Sequence, residues 1–182
     1  MADTEKIMAG AAEHMGRAAG DLADGRITVE QWRDAMRDSI RQVHLSASAM
    51  AYGTWDGVPE SSAEARIERE LRYLEGFAGQ IADGTQRVSW IDEVTGDQMV
   101  DGRFLFRCEM YARSGHGTYE NVNRELMSES GKFTEERRVT HAFEGCDGCI
   151  AIEMMGWQPI GTLPEIGAEE CLTACMCSFE YR

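Results

Sequence analysis

The apolar positions of the chain recur at helical spacing over its first two thirds. In TVEQWRDAMRDSIRQVHLSASAMAYG, Trp32, Met36, Ile40, Val43, Ala47 and Met50 follow one another at intervals of three and four, which lines them along one face of a helix. Thr28 followed by Gln31 forms a capping box and Gly53 suits a stop, so a helix is predicted over about 28–51. After the turn signal WDGVPES, Ile67, Leu71, Leu74, Ala78 and Ile81 repeat the spacing, with Ser61 and Glu64 as a second capping box and Asp83-Gly84 as the end. A third segment, 97–128, aligns Phe104, Cys108, Tyr111, Gly115, Tyr119, Val122 and Leu126. Its glycines, Gly102, Gly115 and Gly117, weaken a helix and point to close contacts or a bend. Three such helices pack most simply as an antiparallel bundle, and the N-terminal residues read as a fourth, weaker helix or an arm.

The pattern changes after Gly131. ERRVTHAF and CSFEYR read as short strands, CIAIEMMG as one or two helical turns, and WQPIGTLPEIG as a loop. The expected fold is therefore mainly α: long amphipathic helices in a bundle, ended by a small Cys-rich α+β module. The expected divisions are an arm or weak helix at 1–24, a helical body at 25–131 and the module at 132–182. So short a module needs a staple, covalent or metallic, to hold its shape.

Five cysteines supply candidates for that staple. Cys146-Asp-Gly-Cys149 has the spacing of a zinc knuckle, and Cys171, Cys175 and Cys177 follow close to the last strand. Tetrahedral zinc takes four ligands, so the first choice is Cys146, Cys149, Cys175 and one of Cys171 or Cys177. Cys171 and Cys175 suit a helical turn, whereas Cys175 and Cys177 on a strand would point to opposite faces. His141, close before Cys146, is a further ligand candidate. A disulfide staple and a thioredoxin-like redox pair are the competing readings, the second lacking the strand and helix context it requires. Cys108, alone on an apolar helix face, reads as core. His14, His44 and His116 read as surface or satisfied core positions.

Composition and charge narrow the function. No apolar run approaches bilayer length and the N-terminus has no continuous apolar core, so the chain is expected to fold in a reducing cytoplasm, which favours zinc over disulfides. Formal net charge is -14, a field that repels phosphate backbones. Residues 139 to 181 contain seven acidic side chains and neither Lys nor Arg, so a partner of this end should be basic or apolar. No nucleophile-elbow, dinucleotide or P-loop pattern occurs, and no enzymatic activity is expected.

The run from Cys146-x-x-Cys149 through GWQPIGTLPEIG to Cys171, Cys175 and Cys177 resembles the C-terminal module of tailed-phage head-morphogenesis, or minor capsid, proteins. Those chains close with C-x-x-C, a Gly/Pro-rich stretch and a terminal C-R-C. The likeness extends over about residues 25 to 182. Two positions depart from it: Met176 stands where the family has arginine between the last two cysteines, and Gly145 precedes the first pair where a histidine is often found. The resemblance implies a non-enzymatic virion protein with a structural zinc ion, docked on the portal or on the major capsid protein at the inner capsid surface after assembly in the host cytoplasm. It leaves self-association in the particle open. The alternative class is a zinc-dependent regulatory or nucleic-acid-binding module, which the absence of basic residues near the knuckle disfavours.

Overall fold

Thr28 and Gln31 close the expected box in both directions. The Thr28 amide donates to Gln31 Oε1 at 2.9 Å, the Gln31 amide donates to Thr28 Oγ1 at 3.3 Å, and helix α2 runs from there over Val29–Tyr52. Gly53, in the left-handed region at φ 72°, ends it. These details come from a computed structural model that describes residues 2–56, 58–59, 61–141 and 145–182. Helix α1 spans Ala2–Ala23, α3 Ser61–Ala82, α4 Gly102–Glu129 and α5 Asp147–Met154, so the fold is mainly α as expected. Ser61 is the first residue of α3 rather than the position ahead of it that the second capping box requires, and residue 60 lies outside the described residues.

Residues 97–100, expected to begin the third helix, are not helical, and 98–100 form a strand. A short antiparallel hairpin pairs β1 (Ser89–Ile91) with β2 (Gln98–Val100), with Trp90 opposite Met99. Its turn is built by Asp92, whose Oδ1 accepts from the Val94 amide at 2.8 Å, and by Gly96 at φ 77°. Helix α4 starts only after Asp101, whose carboxylate accepts the amides of Arg103 at 2.9 Å and Phe104 at 3.2 Å.

The chain divides into two compact units that do not follow the expected boundaries near residues 24 and 131. One holds residues 1–43 and 64–112, the other residues 44–63 and 113–182, so α2 and α4 each contribute to both. In the first unit α1 is part of the packing rather than an arm: Met15 and Ala19 are buried with Trp32, Met36 and Ile40 of α2, Leu74 and Phe77 of α3, and Phe104 and Cys108 of α4. Trp32, Phe77 and Phe104 form a triangle of rings with centroids 5.6–5.9 Å apart. Burial pushes the Cys108 thiol up to about 12, consistent with a packing role.

In the second unit β3 (Glu135–Val139) is the centre of a three-stranded antiparallel sheet, flanked by β4 (Gln158–Pro159) and β5 (Ser178–Tyr181). Register aligns Arg138 with Phe179 and Glu136 with Tyr181. Cys149, Ile152, Leu163, Ile166, Cys175, Cys177 and Phe179 form a second buried cluster. No helix among the described residues is long and apolar enough to cross a membrane.

Candidate metal centre

The five candidate cysteines converge from two segments. Cys146 immediately precedes α5 and Cys149 lies in its first turn, while Cys171 and Cys175 bracket a 3-10 turn over Leu172–Ala174. Cys146 Sγ and Cys149 Sγ each lie 3.5 Å from Cys171 Sγ, and Cys149 Sγ lies 3.7 Å from Cys175 Sγ. Zinc–sulfur bonds of about 2.3 Å set tetrahedral sulfur–sulfur edges of about 3.8 Å, so these separations suit thiolates sharing a metal. They are far longer than a disulfide bond of about 2.05 Å, and all six cysteines are free.

Two groups satisfy mutual sulfur separations within 4.8 Å: Cys146, Cys149 and Cys171, and Cys149, Cys175 and Cys177. Cys149 belongs to both. The expected opposition of Cys175 and Cys177 does not arise, because β5 begins only at Ser178 and Cys175 lies outside it, with φ -64° and ψ 121°. His141 is in neither group; it is exposed, and its Nε2 pairs with Ser178 Oγ at 2.7 Å.

Backbone amides complete the thiolate environment. Burial opposes ionisation of Cys146, but the N–H groups of Cys149 and Cys171 face its sulfur and hold its pKa below the ordinary value. Hydrogen bonding from Cys177, with the amides of Cys177 and Gly167, draws the Cys175 thiol down to about 4. Cys177, the donor to that thiolate, is raised, and burial raises Cys171 and carries Cys149 to about 11.

Gly148 permits the close approach of the two segments. A Cβ at this position would lie 3.0 Å from Glu169 Cδ and 3.2 Å from Glu169 Cβ, so the knuckle backbone sits against the Glu169 side chain. Leu172 is in the left-handed region at φ 43°, the single non-glycine residue so placed among those described, and it directly follows Cys171. Arg138 is 1% exposed; its Nη1 donates toward Cys149 Sγ at 3.8 Å and its Nη2 donates to Pro164 O.

A polar face of α4, not anticipated from the sequence, holds the module's backbone. His116 Nε2 donates to Cys177 O at 2.8 Å, and Glu120 Oε2 accepts from the Phe179 amide at 3.2 Å. Asn121 pairs with both backbone groups of Ile166, at 3.0 and 3.1 Å. Arg124 meets Glu136 in a bidentate pair at 2.7 and 2.5 Å and also donates to Leu163 O. The spacing of His116, Glu120 and Arg124 puts them on one helix face. That periodicity was present in the sequence, but its polar composition reads as a solvated surface. Burial lowers the His116 pKa and raises Glu120 to about 7. His44, fully buried, is satisfied by Thr118 Oγ1 at 2.5 Å and Ser114 Oγ at 3.1 Å, a core histidine as expected.

Met154 is 83% exposed and Met155 53% exposed, so neither is enclosed by the cysteine cluster. The Trp157 ring lies beneath the guanidinium groups of Arg137 and Arg182 at 5.0 and 4.5 Å. No family model matches the chain, and comparison with curated proteins and with solved structures finds no match.

Proposed function

We propose that this chain is a non-enzymatic structural protein of a tailed-phage head, of the minor capsid or head-morphogenesis class, whose C-terminal module is fixed by structural zinc. The observation that supports the metal is the gathering of five thiols from two segments at separations suited to thiolate coordination. The virion role is supported by the cysteine and Gly/Pro pattern of residues 146 to 182. Docking would be on the portal or the major capsid protein through the helices and the acidic module surface.

A phosphate-reading role has little to draw on in this module. The guanidinium groups of its strands are engaged: Arg137 with Glu180 at 2.5 Å, Arg182 with Glu135 at 2.7 Å, and Arg138 buried against Cys149. The metal is tested by elemental analysis of protein purified without metal-affinity resin, where stoichiometric zinc is expected. A metal-free protein with paired disulfides would defeat the zinc reading. The virion role is tested by quantitative mass spectrometry of purified heads, where this protein is expected at fixed stoichiometry to the portal; its absence from heads would defeat that role.

A further inference from the structure

Five thiols exceed the four that one tetrahedral ion can use, and the geometry divides them unequally from that expectation. Among the described residues the sulfurs that all lie within 4.8 Å of one another form two triads joined at Cys149, and no group of four does. In the outer triad, Cys146 and Cys171 are half-buried; in the inner triad, Cys149, Cys175 and Cys177 are all buried. A thiolate sulfur has lone pairs enough to serve two metals at once, and among the described residues Cys149 is the sulfur common to both triads.

Charge points the same way. Five thiolates and two divalent ions leave a single net negative charge, and one ion on four thiolates leaves two. Arg138 supplies one buried positive charge directly beside Cys149, and its Nε has no hydrogen-bond partner among the described residues. A buried site is stable when its charges nearly cancel, because an uncompensated charge bears the full desolvation penalty. With Arg138 a bridged pair of divalent ions brings the thiolates, ions and guanidinium to a net charge of zero, one unit nearer balance than a single ion on four thiolates.

We propose that the cluster holds two thiophilic d10 ions, one in each triad, with Cys149 as the bridging thiolate and Arg138 as its buried counter-charge. The inference rests on the reading of these thiols as a metal site. The outer triad keeps two half-buried sulfurs, Cys146 and Cys171, whereas all three sulfurs of the inner triad are buried.

The test is to demetallate the full-length reduced protein anaerobically and titrate it with cadmium, counting bound ions by native mass spectrometry and recording 113Cd NMR. Two ions per chain are expected, with two resonances. Cys146→Ser should lose the outer ion and keep the inner one, Cys177→Ser the reverse, and Cys149→Ser should disturb both. One ion per chain in the parent protein overturns the bridged pair while leaving the zinc staple intact. No bound ion overturns both. Because the count is made first on the unmodified chain, misfolding of a variant does not rescue the proposal.

Discussion

Leu172 shows how much the cysteine cluster asks of single residues. A left-handed conformation costs an L-residue with a Cβ about 1 kcal/mol or more, and this one sits between the thiols of Cys171 and Cys175 with its side chain half-exposed. Leu172→Gly removes that strain while adding freedom to the unfolded chain, for a net gain on the order of 0.5–1 kcal/mol. A rise in the denaturation midpoint is expected. A fall would mean that the leucine side chain contributes packing beyond what its exposure implies. Gly148 carries the opposite constraint: Gly148→Ala drives a Cβ into Glu169 and should weaken metal affinity roughly tenfold, an overpacking cost of about 1–3 kcal/mol. Competition with a colorimetric chelator measures it, and Gly148→Ala combined with Glu169→Ala should recover most of the loss; no recovery would place the cause elsewhere.

Glu120 gives a pH-dependent prediction at the same scale. Burial raises its pKa from 4.5 to about 7, partly offset by the Phe179 amide, so the folded state holds this proton more tightly than the unfolded one. Stability from this group is complete below pH 4.5 and is lost as pH rises through 7, a difference of roughly 3 kcal/mol. Glu120→Gln keeps an oxygen to accept from Phe179 but cannot ionise. It should match the parent at pH 4 and exceed it by up to that amount at pH 8, read from urea midpoints. Equal midpoints at pH 8 would contradict a buried, protonated carboxyl.

At the scale of elements, α4 does two jobs with one helix. Its N-terminal half follows the apolar rule, with Phe104, Cys108 and Tyr111 buried, and those positions were legible from spacing alone. Its C-terminal half buries Ser114, His116, Thr118, Glu120, Asn121 and Arg124, and polar side chains that satisfy the backbone of a neighbouring loop give no hydrophobic signal. The β1–β2 hairpin escaped for a related reason: its strands are three residues long and Trp90, Ile91 and Met99 are exposed. The Asp92 to Gly96 turn was its one readable mark. Within the module the C-x-x-C spacing announced a cluster of thiols able to hold a metal, but which sulfurs meet depended on a 3-10 turn that sequence periodicity does not report. The Arg124–Glu136 pair makes the polar face testable. Arg124→Met leaves Glu136, which is fully buried, without its counter-charge and should cost about 3–5 kcal/mol, whereas Arg124→Met with Glu136→Leu should be far milder. A double variant as unstable as the single one would show that the hydrogen bonds to Leu163 matter more than the charge pair.

At the scale of the whole molecule, the two buried clusters have different means of support. The first unit rests on interlocked helices and aromatic rings, and the second on a small sheet, a polar clamp and the thiols. Removing metal should therefore divide them. If the thiols hold metal as proposed, a chelator is expected in hydrogen exchange to speed exchange across β3, α5 and β5 while α1 and α3 keep their protection. Uniform loss throughout would show that the units unfold as one.

The central place of β3 in its sheet has a consequence for the order of events during synthesis. β3 is made before both of its neighbours, and its second partner, β5, follows directly on Cys175 and Cys177. Until that segment leaves the ribosome, the carboxylate of Glu136 and the guanidinium of Arg138 have no finished sheet around them, and Cys146 and Cys149 have at most each other. Pairing of the last strand and completion of the thiol cluster are thus a single late step. A nascent chain halted before Cys171 should leave residues 135–139 open to protease, and the same residues should become resistant once release is allowed in the presence of zinc.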